Sequence, residues 1–391
     1  MRQIKIYPFV FGISMKVLYD HQAFRLGRFS GIPRYFTELI LQYRKSNSVT
    51  PILPKFWTIN QDYRNLNLCN PNITWTIRDK ITSASQKYLH QNPSRLMDFA
   101  ERRTIELLKK GDFDVFHPTR FEPYFLKYIG KKPYVLTIHD LTYEIYPEYF
   151  PLDTQIRKDT KTVVENASRF IAITECTKND FVNYYDVDPK LVDVVYHGSL
   201  FEKYQIPKLE NTYTNTQSPY LLFVGERGMH KNFYHFIEAV SPLLSENLNV
   251  ICAGGGIFRK DEVNFLHSLG ICKYVHQETI SDSKLINLYQ NALAFIYPSI
   301  NEGFGLPILE AFSCGCPVLC SDASCFPEVA GDAAIYFNPK DAESIRQNVK
   351  KILDDLMLRK MMCRKGYIQL DLFSWNKCAM NTRKVYEKIM G

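Results

Sequence analysis

Two glutamates, Glu302 and Glu310, flank a glycine-containing segment in the last third of the chain. The segment follows an apolar run over residues 292–297, which predicts a buried parallel strand, and Pro307 stands where a helix begins. A strand end, a glycine loop and a helix N-terminus direct unpaired backbone N–H groups at one point, which suits a phosphate or another anion. Carboxylates repel phosphate, so the two glutamates suit sugar hydroxyls instead. Phosphate and hydroxyls bound side by side predict a nucleotide-sugar site.

A second segment joins a strand end to two cations. A predicted strand over residues 220–224 runs into Gly225, and Arg227 and Lys231 precede a predicted helix. Arginine binds two phosphate oxygens at once and lysine adds a point charge, and both would lie beside a helix N-terminus. The alternative is a solvated Arg/Lys pair. The sequence contains neither a P-loop nor a complete dinucleotide-binding motif, so ATPase and dinucleotide functions are weakly supported.

The spacing of the two glutamates resembles that of a known family. With seven residues between them, Glu302 and Glu310 resemble the paired-glutamate motif of retaining glycosyltransferases of family 4, which have the GT-B fold. The intervening residues are also typical of that family: Gly303, Phe304, Gly305 and Leu306. The resemblance implies an α/β protein of two Rossmann-like, doubly wound domains that face a cleft. It also implies a C-terminal helix that crosses back to the first domain.

Three further elements resemble the same family. The segment that begins at Gly225 is similar to its diphosphate-binding Gly-x-Arg-x3-Lys-Asn element. The segment around Gly31 resembles a glycine loop that lies beside the donor diphosphate and the acceptor in the family. That loop usually has two glycines, whereas Ser30 precedes Gly31 in this chain. His139 ends a predicted strand and is similar to a histidine that contacts the donor sugar in relatives. A histidine bonded to backbone at a strand end is the alternative.

The resemblance implies a role for the acidic and histidine residues. Glu302 is expected to hold hydroxyls of the donor sugar and to support the positively charged, sugar-like transition state. Glu310 is expected to bind the ribose hydroxyls. His139 is expected to contact the sugar from the opposite domain, so that the site is complete only when the cleft closes. No residue is assigned as a nucleophile.

The departing diphosphate gains charge, and stabilising that charge is the main task of the catalyst. Arg227, Lys231 and the backbone around Gly305 and Leu306 are expected to do so without a metal ion. The nucleotide-diphosphate sugar is a substrate, and no cofactor is expected. An Asp-x-Asp pair at residues 112–114 could be taken for the metal-binding acidic pair of the other major glycosyltransferase fold. It precedes its strand, however, whereas ligands bind past the carboxyl ends of strands, so we interpret it as a polar strand entry.

The chain has 391 residues, enough for two domains with cores of their own. We predict an acceptor-binding domain over residues 1–200, a linker over 201–218, a nucleotide-sugar-binding domain over 219–372 and a crossover helix over 373–391. Residues 1–14 are interpreted as a leader or an extra strand, not as a secretory signal. Acceptor recognition is expected within residues 50–100.

The net charge of +7 lies entirely in the first half of the chain. Residues 1–200 contain 28 Lys and Arg against 21 Asp and Glu, whereas residues 201–391 contain 20 of each. A solvated surface explains this excess as well as any other interpretation. The sharper hypothesis is that the first domain binds an anionic membrane face or a lipid-diphosphate acceptor.

Cysteine usage predicts the compartment. Four of the ten cysteines lie close together but lack the paired spacing of zinc sites, so they are interpreted as small buried packing residues: Cys314, Cys316, Cys320 and Cys325. Free thiols and the lack of a signal predict a cytoplasmic protein. The membrane hypothesis would place it at the inner face of the membrane.

The N-terminal segment and the segment that contains His139 and Asp140 resemble those of mannosyltransferases that make surface polysaccharides or lipopolysaccharide. GDP-mannose is therefore the first choice of donor, ahead of UDP-hexoses, and the acceptor would be a glycan or a lipid-linked sugar. Nucleic acid is not an expected partner. Two other classes stay open: a sugar-nucleotide epimerase, which needs no acceptor, and a non-catalytic subunit that binds nucleotide sugars.

Overall fold

The computed structural model describes residues 15–25, 31–56, 58–68, 94–150, 154–199, 201 and 218–391. The predicted leader at residues 1–14, Ser30, nearly all of the predicted linker and much of the region expected to recognise the acceptor lie outside the described residues.

The described chain is an α/β protein, as predicted, with strands in three sheets. In chain order the strands are β1 (Met15–Tyr19), β2 (Val49–Ile52), β3 (Val115–His117), β4 (Val135–Ile138), β5 (Arg169–Ala172), β6 (Val192–Val194), β7 (Tyr220–Val224), β8 (Asn249–Ala253), β9 (Val275–Glu278), β10 (Ala294–Tyr297), β11 (Val318–Ser321) and β12 (Ala334–Phe337). The sheet orders are β2-β1-β3, β4-β5-β6 and β12-β11-β10-β7-β8-β9. The pairings in the first and the largest sheet are parallel.

Helices follow most strands, as a doubly wound pattern requires. The α-helices of the described residues are α1 (Gly31–Ser46), α2 (Gln61–Asn65), α3 (Ser94–Lys110), α4 (Thr142–Ile145), α5 (Thr154–Val164), α6 (Glu175–Tyr185), α7 (Phe233–Val240), α8 (Lys260–Ser268), α9 (Asp282–Asn291), α10 (Leu306–Ser313), α11 (Phe326–Ala330), α12 (Ala342–Asp354), α13 (Leu356–Gln369) and α14 (Trp375–Met390). Among the described residues, every helix is too short or too polar to cross a membrane.

The largest sheet reverses its strand order between β7 and β10. β8 and β9 extend the sheet from β7, and β11 and β12 extend it from β10. Every residue of β7 and β10 is buried, because helices cover both faces of a parallel sheet, so these strands read as continuous apolar runs. Loops after the two central strands therefore lie at a topological switch point, the place where ligands bind in open α/β sheets.

The chain forms two compact units. Unit 1 contains residues 1–137, 158–170 and 382–391, and unit 2 contains residues 138–157 and 171–381. Unit 2 thus includes residues before position 200, where the sequence prediction placed the end of the first domain. The predicted domain limits stay a prediction. α14 begins in unit 2 and ends in unit 1.

Unit 1 holds a buried chain of polar side chains. The Nδ1 atom of His117 lies 2.7 Å from the Tyr386 hydroxyl oxygen, and its Nε2 atom lies 2.8 Å from Oγ1 of Thr137. His117 is fully buried, so it is part of the core of unit 1. Asp112 forms an ion pair with Lys16 at 2.6 Å, as expected for a polar strand entry.

Candidate active site

Most of the predicted site residues of unit 2 follow β7 or β10, the two strands at the switch point. Gly225 directly follows β7 with φ +119°, a backbone conformation that favours glycine, and its N–H donates to the Ala253 carbonyl at 2.9 Å. The glutamate-containing loop directly follows β10. A backbone hydrogen bond of 2.8 Å, from the Ile300 N–H to the His230 carbonyl, joins the two loops. The sheet thus brings the two predicted segments together.

The glycine loop has a steric reason for each of its glycines. A Cβ atom on Gly303 would lie 1.6 Å from the His139 carbonyl oxygen, so no larger residue fits there. The Gly303 carbonyl accepts a hydrogen bond from Oγ1 of Thr174 at 3.0 Å. Gly305 has φ +83° and precedes α10, with Pro307 in the first turn. The loop is therefore fixed against the end of β4, and it brings the His139 backbone into the site.

Lys231 and Glu302 form the central ion pair. The Lys231 Nζ atom lies 2.5 Å from Oε1 of Glu302, and their side chains are only 19% and 15% exposed. Burial by itself raises the pKa of the Glu302 carboxyl, but the Lys231 charge and hydrogen bond outweigh it and hold that pKa below its ordinary value. Burial, and then the Lys231 charge, lower the pKa of the neighbouring His230. Glu302 is thus a carboxylate already paired with a cation.

Glu310 lies in α10 and is 8% exposed. Its Oε2 atom accepts a hydrogen bond of 3.2 Å from the Tyr289 hydroxyl. Tyr289 belongs to α9 and is fully buried, and no local sequence pattern indicates this contact. The tyrosine hydroxyl thus holds one carboxylate oxygen of Glu310 in place. Leu306, which begins α10, and the buried Phe304 complete the loop between the two glutamates.

Arg227 is enclosed by other groups of the protein. Its side chain is 1% exposed, and its Nε atom donates to the buried Glu262 carboxylate at 2.9 Å. Its terminal nitrogens donate to a set of backbone carbonyls: Gly254, Gly255, Gly256 and Ile257. The guanidinium therefore donates to groups of the protein itself, and the predicted bidentate contact with phosphate oxygens stays a prediction.

The three glycines around Arg227 have φ between +68° and +85°. A Cβ atom on Gly255 would lie 2.7 Å from a terminal nitrogen of Arg227. The turn after β8 therefore wraps around a buried cation, which orients its carbonyls inward. This is the strand-to-helix turn that three successive glycines favour, with an internal cation as its centre.

Gly31 lies in unit 1 as the first residue of α1. A Cβ atom there would meet nothing within 4 Å, so the surroundings of this position do not require a glycine. Residues 26–30 lie outside the described residues. The predicted contact of this loop with the donor stays a prediction.

The clustered cysteines are packing residues, as predicted. Cys314, Cys316, Cys320 and Cys325 are buried and free. Burial raises the pKa of the Cys314 thiol to about 12. Among the described residues there is no group of three or more His, Cys, Asp or Glu side chains arranged to hold a metal ion.

The comparisons with known proteins define the class. The model of group 1 glycosyl transferases matches residues 207–369, and the model of Glycosyltransferase Family 4 matches residues 30–199. The chain belongs to the family 4 glycosyltransferases and has the GT-B fold.

Its relatives include enzymes of surface polysaccharides. The chain is 29% identical to O-antigen chain mannosyltransferase B of Escherichia coli over 65% of this chain and 70% of that protein. It is also 29% identical to O-antigen chain mannosyltransferase RfbU of Salmonella typhimurium, over 56% of this chain and 60% of that protein. HepE of Anabaena, in complex with UDP and glucose, matches 96% of this chain and 100% of its own with a TM-score of 0.69 and 17% identity. That likeness shows the fold.

The internal role of Arg227 predicts a loss of stability. Arg227→Ala is expected to lower the free energy of unfolding by about 3–5 kcal/mol, because the buried Glu262 carboxylate loses its enclosed cation. Chemical denaturation measures the change. Arg259→Ala is the matched control: its side chain is 52% exposed and contacts the same carboxylate at 3.1 Å, so we expect a loss of about 0–1 kcal/mol. An Arg227→Ala variant with wild-type stability and no nucleotide binding would contradict the internal role and favour the predicted phosphate contact.

Proposed function

We propose that the protein transfers a hexose from a nucleotide-diphosphate sugar to a glycan or lipid-linked acceptor, with retention of anomeric configuration. The observation that carries this proposal is the Lys231–Glu302 ion pair at the switch point, with Glu310 on the next helix. One cation for the diphosphate and two carboxylates for hydroxyl groups then lie on neighbouring elements. The names of the relatives support a role in the synthesis of O-antigen or another surface polysaccharide.

Charge separation during the reaction explains why a preformed ion pair is useful. In the free protein the positive charge of Lys231 is shared with Glu302. An incoming diphosphate takes a share of that charge, and its demand grows as the bond to the sugar breaks. The negative charge of Glu302 is then less compensated by Lys231, which suits the positive character that develops on the sugar. Both partners thus respond to the same bond cleavage.

The N-terminus of α10 supplies the second source of positive potential. Its first turn follows Gly305 and contains Leu306 and Pro307. Pro307 has no N–H, and the Ile308 N–H donates to the Gly305 carbonyl at 2.9 Å. The Leu306 N–H and the helix dipole at this end stabilise a nearby anion. Together with Lys231 they support leaving-group stabilisation without a metal ion or a cofactor. Arg227 acts here through the backbone, by fixing the turn after β8 beside Gly225.

Glu310 and His139 complete the proposed donor contacts. We assign the ribose hydroxyls to Glu310, whose carboxylate is supported by Tyr289. We assign a sugar contact to His139, because its carbonyl oxygen abuts Gly303, one residue after Glu302. Both assignments follow the family resemblance and the placement of these residues around one loop.

GDP-mannose is the proposed donor. Two relatives named as O-antigen mannosyltransferases favour it, whereas HepE was solved with UDP and glucose, which keeps a UDP-hexose as the second choice. A thermal-shift panel of GDP- and UDP-sugars, followed by mass spectrometry with oligosaccharide and lipid-linked acceptors, tests the proposal. Conversion of the donor without any acceptor would indicate an epimerase. Binding without turnover would indicate a non-catalytic subunit.

Loss of the lysine charge should affect turnover most. Lys231→Ala is expected to lower kcat about 100- to 1,000-fold, because the departing diphosphate loses its cation, and EDTA is expected to leave the wild-type rate intact. Lys273→Ala is the control, since its exposed side chain pairs with Glu246 at 3.9 Å. Melting temperatures are measured in parallel, because Glu302 loses its partner in the variant. A fully active Lys231→Ala enzyme would remove the diphosphate assignment, and inactivation by EDTA would favour a metal-assisted reaction.

Glu310 should affect nucleotide affinity. Glu310→Gln is expected to weaken binding of GDP or UDP about tenfold, because an uncharged amide replaces a carboxylate that accepts hydrogen bonds from the ribose. Isothermal titration calorimetry measures the dissociation constant. Glu343→Gln, which changes an exposed carboxylate paired with Arg346, is expected to have no effect. Unchanged affinity in Glu310→Gln would exclude the ribose contact.

The basic first half suits an acceptor carried by an anionic membrane. Its charge of +7 over residues 1–200 would attract anionic lipids at the inner face of the membrane, and we propose the cytoplasm as the compartment. Flotation with phosphatidylglycerol vesicles at low salt should carry the wild-type protein upward. Salt at 0.5 M should release it, because the Debye length is then only about 4 Å and the attraction between the charges is screened. Phosphatidylcholine vesicles are the control. Failure of the wild type to float would end the membrane hypothesis.

A further inference from the structure

We infer that Ser324 is a positioning residue for Glu302 during sugar transfer, an inference that rests on the proposed function. Ser324 lies in the loop between β11 and α11. Its hydroxyl oxygen accepts a hydrogen bond from the Glu302 N–H at 3.2 Å and donates toward the Glu302 carbonyl at 2.7 Å. One side chain therefore contacts both backbone polar groups of the proposed sugar-binding residue.

The backbone of Ser324 is in an uncommon conformation. Its φ of +58° lies in the left-handed region, which glycine adopts without strain and serine does not. A glycine would therefore suit this backbone better, but it would lack the hydroxyl that contacts Glu302. Strained residues of this kind cluster at functional sites, where the surrounding contacts maintain them. The conformation and the hydroxyl contacts together indicate a role beyond closing the loop.

A hydrogen-bonded chain extends this contact toward the His139 turn. The Ser324 hydroxyl also lies 3.1 Å from Oδ1 of Asn301, and Nδ2 of Asn301 donates to Oγ1 of Thr142 at 3.0 Å. The Thr142 N–H in turn donates to Oδ1 of Asp140 at 2.9 Å, next to His139. Ser324 thus ties the Glu302 backbone into the same network as the end of β4.

The reason for a backbone clamp follows from the ion pair. In the free protein, Lys231 holds the Glu302 carboxylate at 2.5 Å. When a diphosphate takes a share of Lys231, that side-chain anchor weakens at the moment when the carboxylate must face the sugar. Contacts to the Glu302 backbone do not depend on Lys231 and persist through this change. Removal of the Ser324 hydroxyl should therefore lower the rate of transfer and leave the affinity for a nucleotide without a sugar unchanged.

Two variants separate positioning from stability. Ser324→Ala loses the hydroxyl and keeps the strained backbone, whereas Ser324→Gly loses the hydroxyl and relieves the strain. We expect both to lower kcat about 10- to 100-fold with GDP-mannose, or with the donor that the thermal-shift panel selects. Both should bind GDP or UDP within twofold of the wild type, and Ser324→Gly should melt at or above the temperature of Ser324→Ala. Asp186→Gly is the control, since Asp186 is an exposed residue with φ +53° after α6, and its kcat should not change.

A double variant tests whether Ser324 acts through Glu302. In a Glu302→Ala background, adding Ser324→Ala should reduce kcat less than twofold further, because the residue that it positions is already gone. A wild-type kcat in Ser324→Gly, a parallel loss of nucleotide affinity, or a full additional loss in the double variant would each overturn the inference. If the wild-type protein transfers no sugar from any donor in the panel, the proposed function fails and this inference fails with it. Normal transfer by both the wild type and Ser324→Gly would overturn the positioning role alone.

Discussion

The ion pair between Lys231 and Glu302 is the interaction on which the rest of the site depends. Its two residues come from loops after β7 and β10, the strands between which the largest sheet reverses its order. Burial disfavours an isolated charge, so each partner makes the other tolerable in a mostly covered position. The sheet, its apolar strands and the glycine loop bring these two charges together at the carboxyl edge of the sheet.

Two cations four residues apart serve different purposes. Arg227 is enclosed by Glu262 and by the carbonyls of a glycine turn, so its charge organises the protein. Lys231 is partly exposed and pairs with Glu302, and in the proposed function it shares its charge with the donor diphosphate. An arginine with fixed, multiple donors suits a rigid internal cage, whereas a lysine on a flexible stem suits a partner that changes during a reaction. The structure thus separates two residues that the sequence treats as a pair.

The parts of the structure that sequence predicts are those with local causes. The apolar runs of β7 and β10 and the helix start beside Pro307 each depend on a few neighbouring residues, and both are confirmed. The glutamate spacing is local as well, but the roles that it predicts stay a prediction. The missed contacts join distant segments. Glu262, the ion-pair partner of Arg227, lies 35 residues after it. The His139 carbonyl, which leaves room only for glycine at position 303, lies 164 residues before Gly303. Ser324 resembles any loop serine until its backbone angle and its contact with Glu302 are known.

A crystal structure of the protein with GDP or UDP bound tests the role of the ion pair most directly. We expect Nζ of Lys231 about 3 Å from a phosphate oxygen, with Glu302 still held by Ser324 and with Arg227 still enclosed by Glu262 and the glycine turn. A diphosphate bound by an Arg227 side chain that has left Glu262, with the Lys231–Glu302 pair intact and distant from the phosphates, would contradict it.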